Sequence, residues 1–79
     1  MKTVLTKEFK HRFPTIQDED VFYDKDRDIL HIGTLKLRIG LQGEVYEVVL
    51  NEDGFDAYAI GKYGHGYCKT RKNFLGETI

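Results

Sequence analysis

Cys68 is the only thiol in the 79-residue chain, and His65 stands three residues before it. A cysteine nucleophile needs a base within hydrogen-bond reach. Three residues apart on a strand, two side chains point to opposite faces. The spacing therefore predicts a small structural cysteine rather than a Cys–His pair. No serine occurs anywhere in the chain, which excludes a serine nucleophile. The histidines are His11, His31 and His65. Three imidazoles could hold a metal if a fold gathered them, but His31 is expected opposite Lys36, a poor neighbour for a cation. Carboxylates crowd into Asp18, Glu19, Asp20, Asp24, Asp26 and Asp28. Glycosidase chemistry needs two carboxylates across a cleft, one with a raised pKa, and an acidic turn offers no such burial. The calcium-loop pattern is absent too, so the acids read as a solvated turn that blunts a strand edge. The glycines form neither a dinucleotide fingerprint nor a phosphate loop. The expectation is no catalytic residue, no metal and no cofactor. A small nuclease using His65 with Tyr63 and Lys62 is the one enzymatic alternative, with little behind it.

Binding chemistry is better represented. From residue 62 to 74, cations alternate with aromatic rings: Lys62, Lys69, Arg71 and Lys72 among Tyr63, Tyr67 and Phe74. Cations grip phosphates and rings stack on bases, the combination that binds single-stranded nucleic acid. The same residues serve equally well as a last strand with a basic edge.

Positioning these groups falls to a set of strands legible in the turns. Gly33-Thr34, Gln42-Gly43 and Asp53-Gly54 each read as a two-residue hairpin turn. In that register Leu30 faces Leu37, Leu37 faces Val48, and Leu50 faces Ala57. One face then carries Leu30, Ile32, Leu35, Leu37, Ile39, Tyr46, Val48, Leu50, Ala57 and Ala59, with no charge among them. Arg38 falls opposite Glu47 on the other face. Val21-Phe22-Tyr23 reads as a further strand, the polar Asp24 to Arg27 as its return turn, and residues 65–70 as a final strand. Near the N-terminus, Leu5, Phe9 and Phe13 recur at helical spacing, with Thr3 as cap and Pro14 as stop. Alternation fits the same residues, in which case the sheet curls into a small barrel. The expected fold is mainly β: an antiparallel meander of five to six strands over residues 1–79, strongly bent or a small open barrel, with one short N-terminal helix.

Size and charge bound the function. At 9.2 kDa the area scaling gives about 4,900 Å² of folded surface, enough for one small core and no deep substrate cavity. A single cysteine excludes an internal disulfide or a Cys-rich zinc module. Net charge is −1, which favours neither DNA nor an acidic mimic. By segment it is +3 over residues 1–16, −4 over 17–28, −3 over 29–61 and +3 over 62–79. No leader or membrane-spanning stretch is expected, and a cytoplasmic setting is.

The second face of the meander holds Ile29, Val45, Val49, Tyr58 and Ile60 beside Lys36, Arg38 and Glu47, too apolar for a plain solvent face. Tyr and Arg amid aliphatics are what protein interfaces use. The expectation is a non-enzymatic module that binds a larger protein, as small regulators and inhibitors such as those of phages do, through Arg38, Tyr58, Ile60, Val49 and Lys36. The alternative is a nucleic-acid-binding domain using Lys62, Tyr63, Tyr67, Lys69, Arg71 and Lys72. Oligomeric state is left open.

Overall fold

The computed structural model describes residues 1–61 and 66–79. The chain is mainly β, with strands β1 (Lys2–Leu5), β2 (Val21–Asp24), β3 (Ile29–Ile32), β4 (Leu35–Arg38), β5 (Glu44–Leu50), β6 (Gly54–Ile60) and β7 (Tyr67–Asn73). One helix, α1 (Lys7–Arg12), and a single 3₁₀ turn (Asp18–Asp20) complete it. The strands form two sheets, β1-β5-β6-β7 and β2-β3-β4, and neither closes into a barrel. The accessible surface is 5501 Å², above the size expectation, because the molecule is drawn out to 38 × 22 × 20 Å.

The first hairpins follow the sequence closely. Gly33 takes φ 61°, and Ile32 pairs with Leu35 and Leu30 with Leu37. The Asp24–Asp28 turn joins β2 to β3, with Asp24 accepting from the backbone N–H of Asp26 at 3.1 Å and of Arg27 at 3.3 Å. Asp28 sits at φ 55° and its carboxylate accepts from the Tyr23 hydroxyl at 2.7 Å and the Gly40 N–H at 2.8 Å. The acidic run is thus the hydrogen-bonding frame of a turn.

The expected Gln42-Gly43 hairpin does not form. Residues 39–43 cross from one sheet to the other, and β4 has no pairing with β5. A two-residue turn there would force Gln42 toward positive φ, a cost that only glycine escapes. Gly40 (φ 75°) and Gly43 (φ 128°) take the unusual conformations instead. The edge of β5 is occupied by β1, which runs parallel to it, Thr3 beside Val48 and Leu5 beside Leu50. Arg38 therefore pairs with Ile29 and not with Glu47.

The β5–β6 hairpin is also shifted. Leu50 pairs with Phe55 and Val48 with Ala57, so the chain turns at Glu52-Asp53, closed by an Asn51 N–H to Gly54 carbonyl bond of 2.7 Å. Gly54 serves another purpose: a Cβ there would strike the Lys72 carbonyl of β7. A bulge between Val45 and Glu47 turns Val45 inward and leaves Tyr46 outside, the reverse of the expected order.

At the N-terminus both readings hold in part. Leu5 belongs to a strand, and Thr6 rather than Thr3 caps the helix, its Oγ1 accepting the Phe9 N–H at 3.2 Å. Phe9 is fully buried and packs at a tilt against Phe13 and Phe74, with ring centroids 5.0 and 6.0 Å away. One core joins α1 to both sheets through Leu30, Ile32, Leu37, Ile39, Val45, Val48, Leu50, Phe55, Ala57 and Ala59. Leu35 and Tyr46, expected inside, are 38% and 37% exposed.

Candidate functional site

Alternation puts one side of the four-stranded sheet on the core and the other in solvent. The registers arrange the outer side in rows. Lys2, Glu47, Tyr58 and Lys69 form one, across β1, β5, β6 and β7. Val4, Val49, Asp56 and Arg71 form the next, and Glu44, Ile60 and Tyr67 a third. The bulge adds Tyr46, whose ring lies 6.4 Å from both Tyr58 and Tyr67. Tyr67 is 82% exposed and Ile60 42%. Three phenol rings and an isoleucine thus meet on an open surface, with the Lys69 ammonium 5.6 Å from the Tyr58 ring centroid.

Beside this cluster lies a fixed ion pair. Asp56 is 5% exposed and takes two bonds from Arg71, Nε to Oδ1 at 2.7 Å and Nη2 to Oδ2 at 3.1 Å. That guanidinium, opposed by partial burial and helped by Lys69, holds the Asp56 carboxyl below the usual carboxylate range. A general acid or base works best with a pKa near the operating pH. Asp56 is moved away from that range, and its two bonds fix the orientation of the Arg71 guanidinium.

The expected residues divide. Tyr58, Ile60 and Val49 do share this face. Lys36 and Arg38 do not: they stand on the outer side of β4 in the other sheet, in rows with His31 and Ile29. The correction follows from the missing β4–β5 hairpin. Tyr67, Lys69 and Arg71, expected as part of a nucleic-acid edge, join the same face as Tyr58, because β7 pairs with β6. Lys72 points to the opposite side, where its ammonium donates to Thr78 Oγ1 at 3.2 Å. Lys62, Tyr63 and His65 lie outside the described residues. Tyr46 and Asp56 were not anticipated. The spacing of Val45, Val48 and Leu50, three residues and then two, carries the signal of the bulge that exposes Tyr46.

Among the described residues, other groups form no comparable site. Cys68 is half-buried against the core. His31 stacks on Phe22 at 4.3 Å, and His11 is exposed on α1. Among the described residues no three His, Cys, Asp or Glu side chains are grouped to hold a metal. Tyr23 is pushed above the ordinary tyrosine range by burial and by its bond to Asp28. A groove of about 690 Å³ runs between α1 and the β3–β4 turn, over Phe9, Phe13, Ile32 and Phe74. No described helix is long and apolar enough to cross a membrane.

Fold and site define a small β-domain with an open, tyrosine-rich sheet face. Comparison with protein-family models, with curated proteins and with solved structures returns no match.

Proposed function

We propose that the chain is a non-enzymatic interaction domain that docks onto a larger protein through the outer face of its four-stranded sheet. The observation that supports this reading most is the cluster of Tyr46, Tyr58 and Tyr67 on an uncovered surface. Tyrosine is among the types that dominate binding energy at protein interfaces, and an Asp–Arg pair at its edge gives a partner's polar groups a fixed target. An exposed face of this kind suits a regulator or inhibitor that occupies a surface, and a lone thiol in this domain suits the reducing cytoplasm.

Charge separates this reading from nucleic-acid binding. Among the described residues the cations of the face are Lys2, Lys69 and Arg71, and the acids are Glu44, Glu47 and Asp56. They balance, and Arg71 is already engaged. A phosphate backbone is held by excess positive charge whose counterions are released, and these rows provide none. The stacking rings remain suitable for bases, so oligonucleotides belong in the test.

A photoreactive phenylalanine at position 67 should crosslink to a protein in cells. With that partner in hand, Tyr67→Ala should weaken binding about 30-fold, as ~2 kcal/mol implies, with no change in melting temperature. Lys72→Ala should change affinity less than threefold. Crosslinking to nucleic acid instead, with affinity falling steeply as salt rises, would move the alternative into its place.

A further inference from the structure

We infer that the same face also pairs with a second copy of the chain, so that the free protein is a weak face-to-face dimer that must open to engage a larger partner. This rests on the outer face being a docking surface. The motive is the placement of charge about β6. Glu47 on β5 and Lys69 on β7 both lie in the row of Tyr58, one on each side of it. Two strand spacings of about 4.8 Å separate them, too far for a direct bond. Among the described residues neither forms an ion pair.

A two-fold axis parallel to β6, lying between two stacked faces, exchanges left for right and keeps each row in place. Glu47 of one copy then meets Lys69 of the other, and the reverse contact follows by symmetry. Tyr58 meets its own counterpart, and Tyr67 meets Glu44, with the bulged Tyr46 one step along β5. An axis across the strands would bring Glu47 onto Glu47, so charge selects the first arrangement. Closed two-fold pairing of one self-complementary patch is the commonest form of oligomer, and sheets stacked this way stand about 10 Å apart with strands nearly aligned. Lys2 remains at the rim. Asp56 meets its counterpart near the axis, each already neutralised by its own Arg71.

Area sets the strength. The three strands that overlap, β5, β6 and β7, span about 14 Å and five residues about 16 Å, roughly 230 Å² in projection. Stable interfaces bury about 800 Å² per partner. The dimer is therefore weak, with dissociation constants on the order of 10–1,000 μM, and coexists with monomer.

Sedimentation equilibrium of the whole chain from about 10 μM to 2 mM tests this. The expected result is a monomer–dimer equilibrium that Glu47→Lys or Lys69→Glu each weakens at least tenfold. The double reversal Glu47→Lys with Lys69→Glu should recover most of the loss. Circular dichroism melts confirm that all three variants fold. A monomer throughout the range overturns the inference, as does a dimer whose single reversals are not rescued by the double. The docking reading is judged separately: a position-67 crosslink to a larger protein from a monomeric chain leaves it standing, and the absence of any crosslink to a larger protein removes it while sedimentation still decides the dimer.

Discussion

Arg71 holds the Asp56 carboxylate through two bonds, of 2.7 and 3.1 Å, on the side of the four-stranded sheet away from the core. A bidentate fork fixes both side chains in a plane, which makes the pair a rigid landmark on an otherwise tyrosine-lined surface. Asp56 is buried to 5% exposure while Arg71 keeps more than half of its side chain in water. Removal of the arginine would leave a carboxylate with little solvent. Arg71→Ala should therefore lower the melting temperature more than Lys69→Ala, although both remove one exposed cation. Equal shifts in thermal melts would mean that the pair contributes nothing beyond charge.

Asp56 also sets a pH dependence. Its folded pKa lies below the ordinary value of 3.8. A depressed carboxylate stabilises the fold fully above the unfolded pKa, and the contribution disappears as pH falls through the folded one. Native chain should lose stability from about pH 4 downward, and Asp56→Asn should flatten that part of the curve. Urea unfolding at pH 7, 4 and 3 measures it. An unchanged slope in the variant would contradict the assignment.

Leu37 and Leu35 provide a matched pair on β4. Leu37 is 6% exposed and Leu35 38%. Leu37→Ala should cost about 2–5 kcal/mol through a cavity in the core, and Leu35→Ala well under that, about 1 kcal/mol. Chemical denaturation of both variants distinguishes them, and a reversed order would place the core on the wrong side of the strand.

Gly43 is held where other residues fit poorly. Its φ is 128°, and a Cβ would run into the Ile60 carbonyl. Gly43→Ala should destabilise by about 1–3 kcal/mol, whereas Gly66→Ala, with nothing within 4 Å of its Cβ but φ 78°, should lose less. Equal stability of Gly43→Ala and native chain would exclude the close approach of the β4–β5 crossover to β6.

The helix depends on Thr6. Its Oγ1 satisfies the Phe9 N–H at 3.2 Å, and α1 has only six residues, too few to persist without packing. Thr6→Ala should cost about 0.5–2 kcal/mol and loosen Phe9 from Phe13 and Phe74. Faster amide exchange over residues 7–12 is the expected readout, and native-like protection there would show that the cap is dispensable.

The chain's alternation determined most of the buried residues, with Leu35, Val45 and Tyr46 as exceptions, even where the strand partners differ from those expected. The expected and observed β5–β6 registers differ by two residues. Because side chains alternate with period two, such a slip leaves Val48, Leu50, Ala57 and Ala59 on the core side. Short-range turn chemistry placed the β2–β3–β4 hairpins as well, since their geometry is local. Three things depended on the tertiary structure. The edge of β5 was contested between β4 and the distant β1, and only the assembled sheet shows β1 there. Gly54 resembled a turn glycine but is needed where β7 crosses close to β6, a requirement set by a strand more than a dozen residues away. The outer face of the four-stranded sheet gathers Tyr46, Tyr58 and Tyr67 from three strands, one of them turned outward by a bulge. Burial follows from a repeat of two along the chain, whereas strand order depends on competition among distant segments for the same backbone donors and acceptors, which no local pattern records.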